Sequence, residues 1–179
     1  MKRIKEENLN TKEYWNSYWG EASNLQKNFE NDSPELRDLG NLTIGTILDV
    51  GCGSGHHTKY LSGDVTVCDL SENAVKFVQE KLGYKGFVCD VSRGLPEDTS
   101  YDTVICTEVL EHVEDPIRLI KELKRVARKR VIVSVPKDDE AKRFEDHVWS
   151  FSEDWMKKEF TKVYSPDGLH IIAIYEKPE

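Results

Sequence analysis

Ile47-Leu-Asp-Val-Gly-Cys-Gly-Ser-Gly55 is the stretch that decides the fold. Thr46-Ile-Leu-Asp-Val50 is a short apolar run bounded by glycines, and it reads as a buried strand. The glycines at 51, 53 and 55 follow at once. They let the backbone turn tightly and approach a ligand closely. The pattern predicts a helix after them, with its free N–H groups and positive dipole end turned toward that ligand.

Downstream, the same type of run recurs as Val65-Thr-Val-Cys-Asp69, Gly86-Phe-Val-Cys-Asp90, Tyr101-Asp-Thr-Val-Ile105 and Arg130-Val-Ile-Val-Ser-Val135. Helical patterns lie between them. Ser71 caps a segment that turns Ala74, Val75, Val78 and Leu82 inward and stops at Gly83. Asp115-Pro116 opens another with Leu119, Ile120, Leu123 and Val126 inward. Strands alternating with helices imply right-handed crossovers and a parallel sheet covered on both faces. Ser152 then caps a helix to about Glu159, and Ser165-Pro-Asp-Gly168 joins two β runs, Phe160–Tyr164 and Leu169–Tyr175. That turn predicts a hairpin and an antiparallel last strand.

Upstream, residues 1–45 hold no strand-like run. Asn10 with Glu13 is read as the cap of a short helix carrying Tyr14, Trp15, Tyr18 and Trp19 on one side, broken by Gly20. Ser33-Pro34 starts a second short helix that stops at Gly40. The 179 residues make one domain, on a prior of roughly 150 per domain. It divides into an N-terminal helical cap, 1–45, and a core, 46–179.

A hydrophobic share of 38% with 32% charged residues suits a globular protein. The net charge of −8 disfavours a general polyanion binder, so nucleic acid is not the expected partner. Lys121, Lys124, Arg125, Arg128, Lys129 and Arg130 are read as cations at one helix end. Cys52, Cys68, Cys89 and Cys106 are too far apart for a zinc ribbon and read as reduced thiols. No apolar run has membrane length, and the first residues lack the apolar core of a signal peptide. The expected location is the cytoplasm.

Acids mark the other strand ends. Asp69 stands 18 residues after Gly51, where a carboxylate can accept both ribose hydroxyls of a nucleoside. Asp90 ends the third strand, and Glu108 follows the fourth. All face the crevice at the carboxyl ends of a parallel sheet. A dinucleotide fingerprint requires a glycine at position 56, where this chain has His56.

Asp49-Val-Gly-Cys-Gly-Ser-Gly55 resembles motif I of the class I S-adenosylmethionine (SAM) dependent methyltransferases. Val67-Cys-Asp-Leu-Ser71, Cys89-Asp-Val91 and Thr107-Glu-Val-Leu-Glu-His-Val113 fall where the later motifs of that family fall. The resemblance implies a Rossmann-like α/β three-layer sandwich, with a seven-stranded, mostly parallel sheet and an antiparallel last strand. It implies SAM as cofactor and S-adenosylhomocysteine (SAH) as product. Carried over by position, Asp49, Gly51, Gly53 and Gly55 shape the methionine end of the site. Asp69 binds ribose, Leu70 packs beside adenine, Asp90 and Val91 meet the adenine edge, and Thr107 and Glu108 line the path to the methyl group.

His112, Glu111 and His147 are the candidates for acid–base work on the acceptor. Glu108-x-x-Glu111-His112 with His147 is also similar to the metal-ligand pattern of RNA-end ribose 2′-O-methyltransferases and some quinone-precursor O-methyltransferases. The primary reading assigns no metal; a metal-assisted RNA-end 2′-O-methyltransferase is one alternative, and a catalytically silent SAM-binding module is another. The primary acceptor is a small molecule methylated on O, N or C, with the chain a monomer or homodimer. No Asn/Asp-Pro-Pro-Tyr follows the fourth strand, which disfavours amino-methylation of a DNA base. Residues 1–45 and 137–151 are expected to cover the acceptor, with Tyr14 or Tyr18 reaching into the site.

Overall fold

The computed structural model describes residues 1–97, 100–138 and 140–178, with only the backbone at Glu35. In chain order the elements are β1 (Lys2–Arg3), α1 (Lys12–Tyr18), α2 (Ala22–Glu30), α3 (Leu39–Leu42), β2 (Ile47–Val50), β3 (Val65–Asp69), α4 (Glu72–Leu82), β4 (Lys85–Val88), β5 (Tyr101–Thr107), α5 (Pro116–Val126), β6 (Ala127–Pro136), β7 (Trp149–Ser150), α6 (Glu153–Glu159), β8 (Lys162–Tyr164) and β9 (His170–Glu176). Seven strands form one sheet in the order β4-β3-β2-β5-β6-β9-β8. β2, β3, β4, β5 and β6 are parallel, with Ile47 of β2 opposite both Val65 and Thr103. β9 runs antiparallel to both β6 and β8. This is the doubly wound α/β sandwich with a reversed last strand that the sequence predicts.

The period-2 alternation of the strands separates two cores. Leu48, Val50, Val131, Val133, Val135, Ile171 and Ala173 face α5 and α6, packing on Leu119, Leu123 and Met156. Ile47, Val65, Val67, Ile132, Ile172 and Ile174 face the other way. Leu36 and Leu39 cover that second face together with Val78 of α4. The N-terminal segment therefore contributes to the core as well as capping it.

Asp115 and Ser152 cap α5 and α6 through their side chains as predicted. Gly83 closes α4 at φ 73°, a left-handed position that suits glycine. Ser71 holds the N-cap position of α4, but its hydroxyl makes no capping bond there.

Several expectations need correcting. No α-helix follows the glycine turn. The link from β2 to β3 contains only the 3₁₀ turn Thr58–Tyr60, so no long helix dipole points at the crevice. Thr11, not Asn10, caps α1, accepting from the Tyr14 N–H at 3.1 Å. Asn10 is occupied elsewhere, its amide donating to the Asp146 carbonyl at 2.7 Å. Gly40 lies inside α3 rather than ending a helix, and α2 had no counterpart in the sequence reading. The basic run is split: α5 ends at Val126, and Arg128, Lys129 and Arg130 lie on β6. There Arg128 and Lys129 pair with Asp102 at 3.1 and 3.3 Å, and Arg130 pairs with Glu176 at 2.7 Å. Among the described residues, no helix is long and apolar enough to cross a membrane.

Candidate active site

The carboxyl ends of β2, β3 and β5 open onto a cavity of about 390 Å³. Its floor is the glycine turn. Gly51 has φ 77°, and its N–H donates to the Cys68 carbonyl at 2.8 Å. A Cβ at this position would lie 2.4 Å from Cγ2 of Val109, so the turn and the β5 end approach each other as only glycine permits. Gly53 also lines the cavity, and its N–H donates to Oδ2 of Asp69 at 2.9 Å. Gly55 instead packs toward α4, where a Cβ would meet Val78 Cγ2 at 2.9 Å, and it is not part of the lining.

The acids divide in the same way. Asp69 lines the cavity and ties the floor together, its other oxygen accepting from the Ser71 N–H at 2.8 Å. Burial raises its pKa, while the backbone donors of Ser71, Gly53 and Leu70 oppose that rise. Leu70, Asp90 and Val91 line the wall beyond it. Asp90 lies past the end of β4 and caps the 3₁₀ turn Val91–Arg93, accepting from the Ser92 N–H at 3.0 Å. Asp49 lies beneath the floor rather than on it: it is 2% exposed and accepts from the Thr58 hydroxyl at 2.6 Å. Burial raises its pKa to about 6.

Thr107 also falls behind the lining. Its hydroxyl is bonded to Nδ1 of His57 at 2.9 Å, and burial lowers the His57 pKa to about 3, which keeps that imidazole neutral. Glu108 follows at φ 55° and does line the cavity. Its carboxylate accepts from the Ser134 hydroxyl at 2.7 Å, and its N–H donates to the Ser134 carbonyl at 3.0 Å.

Beyond Val109 stand Glu111, His112 and His147, with one donor atom from each within 4.8 Å of the others. His112 lines the cavity; Glu111 and His147 lie behind it. Nδ1 of His112 donates to the Asp146 carbonyl at 3.1 Å, which leaves Nε2 as the lone-pair nitrogen, 3.9 Å from Glu111 Oε1. Both Glu111 carboxylate oxygens and Nδ1 of His147 are buried without a hydrogen-bond partner among the described residues. Burial drives the Glu111 pKa well up and lowers those of both imidazoles, His147 to about 4. Of the four residues in the sequence pattern, three converge, and Glu108 turns toward Ser134 instead.

The roof was the least legible part. α1 crosses the cavity, and Trp15 and Trp19 line it, whereas Tyr14 and Tyr18, the expected contacts, do not. The i, i+4 spacing of the two tryptophans was the available signal. β1 pairs antiparallel with β7 and joins the N-terminal segment to the 137–151 segment. Arg3 with Glu114, and the Asn8 amide on the His112 carbonyl at 3.2 Å, hold the rest of the strap down.

A methyltransferase domain family matches residues 48–135 of this chain. The chain is 33% identical over 99 residues to a ubiquinone biosynthesis O-methyltransferase of Nitrosomonas europaea, covering 50% of this chain and 42% of the relative. It spans less than half the length of that enzyme and of nodulation protein S of Azorhizobium caulinodans, another curated relative it matches. Two solved structures share the fold at low identity. One is a putative methyltransferase in complex with the Haloferax volcanii Trm112 methyltransferase activator (TM-score 0.73, 13% identity, 98% of this chain and 100% of that one). The other is the N-methyltransferase NodS of Bradyrhizobium japonicum bound to SAH (TM-score 0.67, 18% identity, 92% and 100%).

Proposed function

The chain belongs to the class I SAM-dependent methyltransferase family, and from that premise we propose that it transfers a methyl group from SAM to a small-molecule acceptor presented beside His112. The cavity carries this reading. It runs from the Gly51–Asp69 floor to an acid–imidazole group whose buried polar atoms lack partners. The lining fits the cofactor: a close-approach glycine at 51, a carboxylate at 69 for the ribose hydroxyls, and Leu70 and Val91 as an apolar slot for adenine, with Asp90 at its edge. A volume of about 390 Å³ lies within the range of roughly 300–1,000 Å³ of small-molecule pockets.

When bound, the cofactor supplies a methyl group made electrophilic by its sulfonium. The chain's own task is alignment, which can supply roughly 7–11 kcal/mol of a barrier. Nε2 of His112, fixed as the lone-pair nitrogen by the Asp146 carbonyl, takes the acceptor's proton. The His147 ring packs edge to face on His112 at a centroid distance of 4.7 Å, and Glu111 lies beside them.

A second reading rests on one observation. Glu111 and His147 present three unpartnered buried atoms beside His112, a donor set that suits a divalent cation. Bound there, such an ion would lower the pKa of an acceptor hydroxyl. Calorimetric titration with Mg²⁺, Mn²⁺, Co²⁺ and Zn²⁺, on wild type and on Glu111→Gln, separates the two: heat of binding in wild type that is lost in the variant favours the ion.

The proposal itself is tested with methyl-labelled SAM against phenolic, amine and thiol acceptors. Saturable SAM binding with label transfer supports it. Binding of SAM without transfer to any acceptor leaves the silent binding module, and no binding of SAM or SAH overturns both.

A further inference from the structure

Two indoles extend from the glycine turn to His112. Trp15 and Trp19 stack with centroids 6.1 Å apart and planes 19° apart, and both line the cavity. Trp19 is the outer ring, positioned so that a Cβ on Gly53 would lie 3.1 Å from its Cζ2. Trp15 is the inner one. Its ring meets His112 edge to face at a centroid distance of 5.2 Å and an interplanar angle of 86°. Trp15 thus stands where the cofactor half of the cavity, with Gly51, Gly53 and Asp69, gives way to the acceptor half around His112.

The charges of the cavity point the same way. Among the described residues its lining carries the carboxylates of Asp69, Asp90, Glu108 and Glu114 against Lys12, and Arg3 and Arg93 pair with Glu114 and Asp90, which leaves the balance negative. A cavity with this balance favours a cation. An indole is also the strongest π partner for a desolvated cation among the aromatic side chains. SAM and SAH differ at one atom: the sulfur is positively charged before transfer and neutral after it.

We propose that Trp15 is the residue that tells cofactor from product, its indole facing the sulfonium at the boundary with the acceptor and losing that attraction once the methyl has left. This rests on the SAM-dependent reading above. It gives the N-terminal helix a role in the reaction cycle, because the contribution of this one contact falls when transfer is complete. Trp19, over the glycine turn, contributes area to both ligands alike.

The test is a ratio of dissociation constants, which does not depend on turnover. SAM, SAH and sinefungin, a SAM analogue with a protonated amine in place of the sulfonium methyl, are titrated calorimetrically into wild type, Trp15→Phe, Trp15→Leu and Trp19→Leu. Trp15→Leu should weaken SAM and sinefungin by about 2- to 30-fold relative to SAH. Trp15→Phe should recover part of that loss, and Trp19→Leu should leave the ratio unchanged. Should Trp15→Leu fail to fold, uniform incorporation of 5-fluoro- and 5,7-difluorotryptophan keeps the shape and drains the ring of charge, and the SAM:SAH preference should fall with each fluorine. Equal weakening of all three ligands, or a preference that ignores fluorination, overturns the proposal. Failure of every ligand to bind overturns the SAM reading instead.

Discussion

Replacing Gly51 with alanine tests the closest approach in the molecule. Its backbone is at φ 77°, a left-handed conformation that costs an L-residue about 1–2 kcal/mol. The added Cβ would fall 2.4 Å from Val109 Cγ2, about 1 Å inside ordinary van der Waals contact. Val109 cannot swing away cheaply, because a β-branched side chain is stiff at χ1. Overpacking of this kind adds about 1–3 kcal/mol. Gly51→Ala should therefore destabilise the fold by about 2–5 kcal/mol. It should also abolish measurable SAM binding, since Gly51 and Val109 both line the cavity.

The two contributions separate in a double-mutant cycle. Adding Val109→Ala removes the clash but not the strain, so about 1–3 kcal/mol should return and about 1–2 kcal/mol should remain. Urea denaturation of wild type, both single variants and the double variant measures this. The reasoning fails if Gly51→Ala costs under about 1 kcal/mol, the lower bound of the strain alone. It fails equally if Val109→Ala adds to the damage instead of relieving it.

Asp49 makes stability depend on pH. Its folded pKa is raised from 3.8 to about 6, so folding favours the protonated form. Its stabilising contribution is full below pH 3.8 and is lost as pH climbs through 6. At about 1.36 kcal/mol per unit, wild type should lose roughly 2 kcal/mol relative to Asp49→Asn between pH 4 and pH 7; parallel denaturation curves for the two proteins would refute this. Asp69→Ala removes the acceptor shared by the Gly53 and Ser71 N–H groups. It should weaken SAM at least tenfold in calorimetry and also lower the melting temperature. Thr11→Ala removes the side-chain cap of α1, worth about 1 kcal/mol, and should red-shift tryptophan emission as Trp15 and Trp19 loosen from the roof.

The sheet was legible because β2, β3, β4 and β5 are apolar runs that lead into a glycine or an acid, and because Pro166-Asp-Gly168 marks the final reversal. The floor of the site was legible for the same reason: the glycine spacing and the strand-end acids lie within one continuous stretch of chain. Three things were hidden. Whether a polar residue at a strand end faces a cavity or lies beneath it depends on tertiary packing, which is why Asp49 and Thr107 fell behind the lining while Asp69 and Glu108 joined it. The helix expected after Gly55 is absent although the glycines suited it, because the chain turns after one 3₁₀ turn and Leu36 and Leu39 arrive from upstream to cover the sheet. The roof was assigned to the tyrosines instead of the tryptophans because the direction of the aromatic face rests on where α1 docks. That depends on long-range contacts such as β1 with β7.

The placement of Leu36 and Leu39 in the second core has a consequence for the history and the engineering of this chain. In a modular design, a selectivity segment can be exchanged between relatives while the catalytic body is left alone. Here the polypeptide that roofs the cavity through Trp15 and Trp19 goes on, within 25 residues, to plug the underside of the sheet. A graft of residues 1–45 from a homologue would import foreign packing together with foreign recognition. What the cavity accepts is therefore altered with least damage to packing by single changes at the lining positions of the strap, such as Thr11, Lys12, Trp15 and Trp19, with Leu36 and Leu39 kept as they are.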